Sequence, residues 1–280
     1  MRAAVLYVHP WAEEMNKSRR MAALASRALA AEGCAVLQVD LLGCGDSSGE
    51  FADASWEAWL ADLAQAAQWL QARHPGVPLW LWGLRAGALL AMQAAQTHAG
   101  VFGRCHFLLW QPAVSGKALL QQFLRLNTAG QLAQAAPEDP APAGAAGATP
   151  PAARGLGTEA LRQQLKQGHA LEVAGYTLPP ALALGLDAAT LVPPEQTPQG
   201  LAQPRRMVWL ECSTREALDL LPASQAAVQR WAQAGYAVQT RVVRGPAFWQ
   251  TTEIEDAPAL IEATVNLLAT EPAAAELEPT

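Results

Sequence analysis

No two cysteines of this chain stand in C-x-x-C spacing; the four present, Cys34, Cys44, Cys105 and Cys212, lie far apart. No His/Cys/Asp spacing matches a zinc site, so no metal is expected. The thiols read as isolated residues of a reducing compartment. No apolar run approaches the ~20 residues that span a bilayer. The N-terminus lacks a long apolar stretch between a basic start and a small-residue cleavage site, so no secretory signal and a cytoplasmic location are expected. Basic charge is also short: 19 Lys and Arg against 25 Asp and Glu leave a net charge of −6. That excludes a general nucleic-acid binder, which needs a basic surface to neutralise phosphates. Gly43, Gly45 and Gly49 miss the G-x-G-x-x-G spacing and open no phosphate-binding helix, so no cofactor is expected.

What is present is apolar mass, 51% of the residues, with ten tryptophans able to supply a large core. Short apolar runs at 3–8, 35–39, 79–84 and 105–110 alternate with helical patterns at 15–31, 56–73 and 86–97. Ser55 is a candidate N-cap of the second helix, and Trp56, Leu60, Leu63 and Leu70 lie near one stripe of it. The resulting β-α-β-α-β-α-β order predicts a mostly parallel, doubly wound α/β sheet with helices on both faces. The alternation breaks after residue 116. Residues 117–134 read as a helix, 135–157 as a flexible Ala/Pro/Gly-rich linker, 158–167 as a short helix, 170–176 as a hairpin and 182–191 as a helix. The core pattern returns with strands at 207–210 and 237–243 and helices at 224–234 and 257–270. Four segments are therefore expected: the first part of the core over 1–116, a cap insertion over 117–203, the second part of the core over 204–270, and a frayed tail over 271–280.

The most informative stretch is Leu79-Trp80-Leu81-Trp82-Gly83-Leu84-Arg85-Ala86-Gly87-Ala88-Leu89-Leu90. An apolar strand meets a Gly-x-x-x-Gly turn that opens into a helix. This is the pattern of a nucleophile elbow, where the middle residue of G-x-S-x-G is raised above the sheet as the attacking serine. Here that residue is Arg85, whose guanidinium stays protonated and cannot attack a carbonyl.

The chain resembles an α/β-hydrolase from the third conventional strand of that fold onward. More narrowly, it is similar to the type 2 hydrolase associated with the exosortase A system. The resemblance rests on His9-Pro10-Trp11-Ala12-Glu13-Glu14-Met15-Asn16-Lys17-Ser18-Arg19-Arg20-Met21, on the loop from Asp40 to Gly49, on Trp82 to Leu90, on Leu109-Trp110-Gln111-Pro112 and on Gly245-Pro246-Ala247-Phe248-Trp249-Gln250. It implies a cytoplasmic protein tied to exopolysaccharide and protein-sorting loci of Gram-negative bacteria, called a hydrolase by fold. Such proteins lead with a hairpin ahead of the His-Pro strand. This chain starts inside that strand, which would leave a sheet edge bare.

A serine triad needs a nucleophile, a histidine base, an orienting acid and an oxyanion hole. The backbone N–H groups of Trp11 and Ala86 are candidate oxyanion donors. The loop where the fold places its base is Gly245-Pro246-Ala247-Phe248-Trp249, and no histidine follows His169. His9 belongs to the oxyanion turn and is read as a core histidine. His169 is read as a solvated cap residue, and His74, His98 and His106 as structural. Glu211 and Asp219 are both candidates for the acid. Ser47, Ser48 and Cys44 lie on a neighbouring loop and read as turn chemistry. Nucleophile and base are thus missing together.

Arg85 at a helix N-terminus suits an anion receptor. Trp11, Phe248 and Trp249 would wall it, and the ligand would be a small or glycan-related anion such as a phosphate, uronate or carboxylate. The competing reading is an internal salt bridge to Glu13, Glu14 or Glu253. Two other functions stay open. One is an active esterase- or thioesterase-like hydrolase, with Glu13 or Glu14 as base near His9. The other is an interaction module whose cap and Met15–Met21 segment dock a protein partner of the export system.

Overall fold

The computed structural model describes residues 1–134, 157–195 and 204–269. Six strands, β1 (Ala4–Val8), β2 (Ala35–Gln38), β3 (Leu79–Leu84), β4 (His106–Trp110), β7 (Arg206–Ser213) and β8 (Ala237–Arg244), form one sheet. Its order is β2-β1-β3-β4-β7-β8, and every neighbouring pair is parallel. Helices α1 (Glu13–Ala31), α2 (Trp56–Arg73), α3 (Ala86–Thr97), α4 (Ala99–Phe102), α8 (Pro222–Gln233) and α9 (Pro258–Ala269) surround it, with a 3₁₀ turn at Phe51–Asp53. Between β4 and β7 the chain inserts α5 (Gly116–Gln134), α6 (Thr158–Lys166), the antiparallel pair β5 (Leu171–Val173) and β6 (Tyr176–Leu178), and α7 (Pro180–Ala188).

The apolar runs become strands because a parallel sheet covered on both faces must be apolar on both. Side chains alternate between two cores. Ala4, Leu6, Val8, Leu81, Phe107, Leu109 and Trp209 pack on the side of α2 and α3 and of the insertion. Val5, Tyr7, Trp82, Leu108, Trp110 and Leu210 pack on the side of α1 and α9. Nine of the ten tryptophans are buried; Trp69, at 50% exposure, is the exception. Ser55 caps α2 as expected, its side chain accepting from the Ala58 N–H at 3.1 Å.

Some boundaries differ from the sequence expectation. Helix α1 opens at Glu13 instead of Met15; two acidic residues in the first turn suit the positive end of the helix dipole. Helix α7 runs over Pro180–Ala188 instead of 182–191, because Pro180 at its first position is pre-set for the helix. The hairpin pairs Leu171 with Leu178 and turns at Ala174 and Gly175, both with positive φ, as a tight two-residue turn requires. The expected linker at 135–157 lies outside the described residues except for Gly157, and so does the tail at 271–280.

The chain leaves β1 for the edge strand β2 and then returns to β3 on the other side of β1. The carboxyl ends of β1 and β3 therefore flank the point where the winding reverses, where open α/β sheets gather their ligands. His9 follows β1 and Arg85 follows β3. Helix α3 presses against these strand ends so closely that a Cβ on Gly87 would lie 2.1 Å from the Val8 carbonyl oxygen, and one on Gly83 2.6 Å from Ala88 Cα. Gly87→Ala is expected to destabilise the protein by about 3 kcal/mol or more in urea unfolding. Gly100→Ala, whose Cβ meets nothing within 4 Å, is expected to stay within ~1 kcal/mol of the parent.

Candidate functional site

Arg85 stands at the tip of the turn between β3 and α3 with φ 55° and ψ −115°. A side chain other than glycine in this region costs of order 1–3 kcal/mol. Tertiary contacts hold it: the Arg85 N–H donates to the Trp110 carbonyl at 3.1 Å, and its carbonyl accepts from Ala88 at 3.1 Å and Ala113 at 3.3 Å. A second turn has nearly the same geometry. Ala12 precedes α1 with φ 49° and ψ −132°. Two strained turns thus bring two helix N-termini to the same end of the sheet.

Glu14, in the first turn of α1, faces Arg85. The Arg85 Nε donates to Glu14 Oε1 at 3.2 Å, with the two side chains 13% and 5% exposed. Of the three carboxylates considered from the sequence, Glu14 is the partner. The pair is asymmetric. Glu14 Oε2 is buried without a hydrogen-bond partner, and neither Nη of Arg85 has a partner among the described residues. Burial raises the Glu14 carboxyl above its ordinary range; Arg85 pulls it down, Glu13 pushes it up, and the nearby Gln250 side chain, outside strict hydrogen-bond geometry to Oε2, also pulls it down. Glu13 is half-buried, also with an orphaned Oε2, and its carboxyl is likewise raised, chiefly by burial.

Aromatic rings close over the pair. The Arg85 guanidinium lies 5.7 Å from the centre of the Trp249 ring. Trp249 packs edge-on against Phe248 at 5.0 Å, and Phe248 meets Trp110 at 6.1 Å. These rings fill the loop after β8, where the resemblance implies a histidine. Trp11 is buried and lies 4.7 Å from Phe123 of α5, so its ring meets the insertion and not open solvent. The backbone N–H groups of Trp11 and Ala86 have no acceptor among the described residues.

The remaining candidates are occupied elsewhere. His9 is buried; its Nδ1–H donates to the Pro10 carbonyl at 2.6 Å, and its Nε2 accepts from the Leu41 N–H at 3.4 Å. Burial lowers its pKa, so it is a neutral core imidazole with both nitrogens engaged. Glu211 is buried and accepts from the Trp209 indole at 2.8 Å. Asp219 is exposed on the loop after β7, and His169 is exposed beyond α6. Burial pushes the Cys44 thiol up to about 12, which leaves it un-ionised at neutral pH. Residues Ser47 and Ser48 belong to a turn closed by hydrogen bonds from Ser47 N–H to the Cys44 carbonyl and from Gly43 N–H to the Ser48 carbonyl. Among the described residues no cluster of three or more metal-ligating side chains exists, and no helix is long and apolar enough to cross a membrane.

Three neighbours escaped the sequence reading. Lys17 donates to the Gln250 carbonyl at 3.4 Å, and Tyr176 and Phe123 come from the insertion to lie near Glu13 and Trp11. Lys17, one turn after Glu13 on α1, had a sequence signal; the other two depend on where the insertion folds.

A strand ending in a strained turn, a helix that needs two close-packed glycines, and a site at the winding reversal together place the chain among known folds. The model of the serine aminopeptidase, S33 family matches residues 1–148, more than half of the chain. This chain belongs to that family. Solved structures of this fold superpose over nearly its full length. Est1E from Butyrivibrio proteoclasticus, with ferulic acid bound, is 14% identical, with 95% of this chain and 88% of that one covered and a TM-score of 0.55. A metagenome-derived lipolytic enzyme from the LipS and LipT pair is 18% identical, with 95% and 93% covered and a TM-score of 0.53. At such identities the likeness establishes the α/β-hydrolase fold. No curated protein sequence matches the chain.

The Arg85–Glu14 pair is testable by a double-mutant cycle. Arg85→Ala alone leaves a buried carboxyl without its cation and is expected to cost about 3–5 kcal/mol. Arg85→Ala with Glu14→Ala is expected to recover much of that loss. Strict additivity in urea unfolding would show the pair to be uncoupled. The pH sign follows from the raised Glu14 carboxyl. The native state holds its proton more tightly than the unfolded chain, whose value is near 4.5. Its contribution to stability is therefore complete below that pH and is lost as pH rises through the native pKa. Glu14→Gln is expected to flatten this decline.

Proposed function

We propose that this member of the family is a binding protein without serine-hydrolase chemistry, and that Arg85 receives the anionic group of a small, glycan-related ligand. The observation that carries this reading is the guanidinium fixed at the elbow, with its Nη groups unpartnered and two vacant backbone N–H donors at the neighbouring turns. A fixed positive fork at a helix N-terminus favours a carboxylate or phosphate. Glu14 acts as the resident anion: it neutralises Arg85 while no ligand is bound and competes with one that arrives. Trp249 offers the cation an aromatic face. The missing catalytic serine and histidine, replaced by Arg85 and by Phe248 and Trp249, support the non-catalytic reading.

The setting we propose is cytoplasmic and linked to exopolysaccharide and exosortase loci. It rests on the long motifs around His9–Met21, Asp40–Gly49, Trp82–Leu90 and Gly245–Gln250. Four free cysteines fit a reducing compartment. The hydrolase alternative needs a free carboxylate base, Glu13 or Glu14, working with His9. Glu14 is committed to Arg85 and His9 has no free nitrogen, which leaves Glu13 as the base that reading requires.

Calorimetric titration with glucuronate, acetate and inorganic phosphate tests this proposal. Glu14→Gln removes the internal competitor and is expected to tighten anion binding by about tenfold. Arg85→Gln combined with Glu14→Gln is expected to abolish it. Equal binding by all three proteins, or none by any, refutes the receptor. A panel of p-nitrophenyl esters and thioesters is expected to show no turnover; turnover abolished by Glu13→Gln would establish the hydrolase instead.

A further inference from the structure

Outside the elbow, the described structure has a cavity of about 340 Å³ at the edge of the sheet. Helix α2 and strand β2 make it together. Asp62, Gln65, Ala66 and Trp69 stand at i, i+3, i+4 and i+7, so they share one stripe of α2. Leu37 and Val39, two residues apart, present the same face of the edge segment opposite that stripe. The loop carrying Ser47 and Ser48 closes the end. Strand β1 separates this edge from the strand that carries Arg85, so the cavity is a separate place in the fold.

We propose that this cavity binds a neutral carbohydrate, with Trp69 as its stacking platform. The first ground is Trp69 itself, the one half-exposed indole beside nine buried ones. The Arg73 guanidinium lies 4.4 Å from the centre of the Trp69 ring, which fixes the indole while half of the residue stays exposed. A flat apolar surface bordered by hydrogen-bonding groups matches a sugar ring, whose C–H face is apolar and whose rim is hydroxyl. The second ground is that rim. The Ser47 and Ser48 hydroxyls and the Gln65 amide make no hydrogen bond among the described residues, and each can both donate and accept.

The third ground is charge. Asp40 and Asp62 line the cavity and disfavour an anion. Asp40 is already held by Arg19 at 3.2 Å and by the Asp46 N–H, and Asp62 accepts the Leu42 N–H at 2.9 Å. Arg73 on Trp69 disfavours a second cation at the ring. Both carboxylates of the lining are thus already engaged, which favours an uncharged polar ligand. The volume lies within the range of small-molecule sites.

Trp69 also supplies the assay, since acrylamide reaches an exposed indole before buried ones. Cellobiose, maltose and lactose at millimolar concentration are the probes, with putrescine and glucuronate as charged comparisons. At least one disaccharide is expected to shield the quenchable fluorescence, and Trp69→Phe is expected to remove that component. In saturation-transfer NMR, Trp69→Ala is expected to weaken the sugar at least about tenfold while circular dichroism stays unchanged. The double substitution at Arg85 and Glu14 is expected to leave sugar binding intact, which separates this site from the anion receptor. Shielding by putrescine or glucuronate in place of the sugars overturns the proposal. So does shielding that rises with protein concentration alone, which marks a second copy, and so does no shielding at all.

Discussion

One ion pair organises the carboxyl end of the sheet: Arg85 held by Glu14 between two helix N-termini. A guanidinium buried to this degree needs a compensating charge, and the sheet topology brings one. Because the winding reverses between β1 and β3, the first turn of α1 comes to lie beside the elbow. Remove that reversal and Glu14, 71 residues away in sequence, never meets Arg85. The orphaned Oε2 and the unpartnered Nη groups show a contact that neutralises the charge without exhausting its hydrogen bonds.

The surroundings are consistent with that pair. The elbow's strained backbone is held by β4 and by the following loop, so Arg85 keeps a conformation that its own side chain disfavours. Phe248 and Trp249 fill the end of β8 with apolar surface, and Trp249 places its ring against the cation. His9 is drawn into the core as a hydrogen-bonded neutral ring.

The edge cavity shows a different logic. It is made by a helix stripe and a strand face that belong to ordinary core-forming elements. Its chemistry comes from one tryptophan that faces outward while the other nine face in. The same stretch of α2 buries Leu63 and Leu70 on the sheet and presents Asp62, Gln65 and Trp69 to the cavity.

The parallel sheet and the turn at Arg85 were legible in the sequence, because apolar runs and the Gly83 and Gly87 spacing are local properties. So was the short list of carboxylates that could meet Arg85. Choosing Glu14 over Glu13 and Glu253 was not, because that choice depends on helix α1 starting two residues early and on its rotation against α3. The burial of Trp11 under Phe123 was equally hidden, since it depends on where a distant insertion folds. So was the outward turn of Trp69, because composition counts tryptophans and only packing decides which of them the core has room for. Local chemistry determined what each residue could do; the tertiary structure decided which of them meet, because long-range contacts depend on topology and not on spacing along the chain.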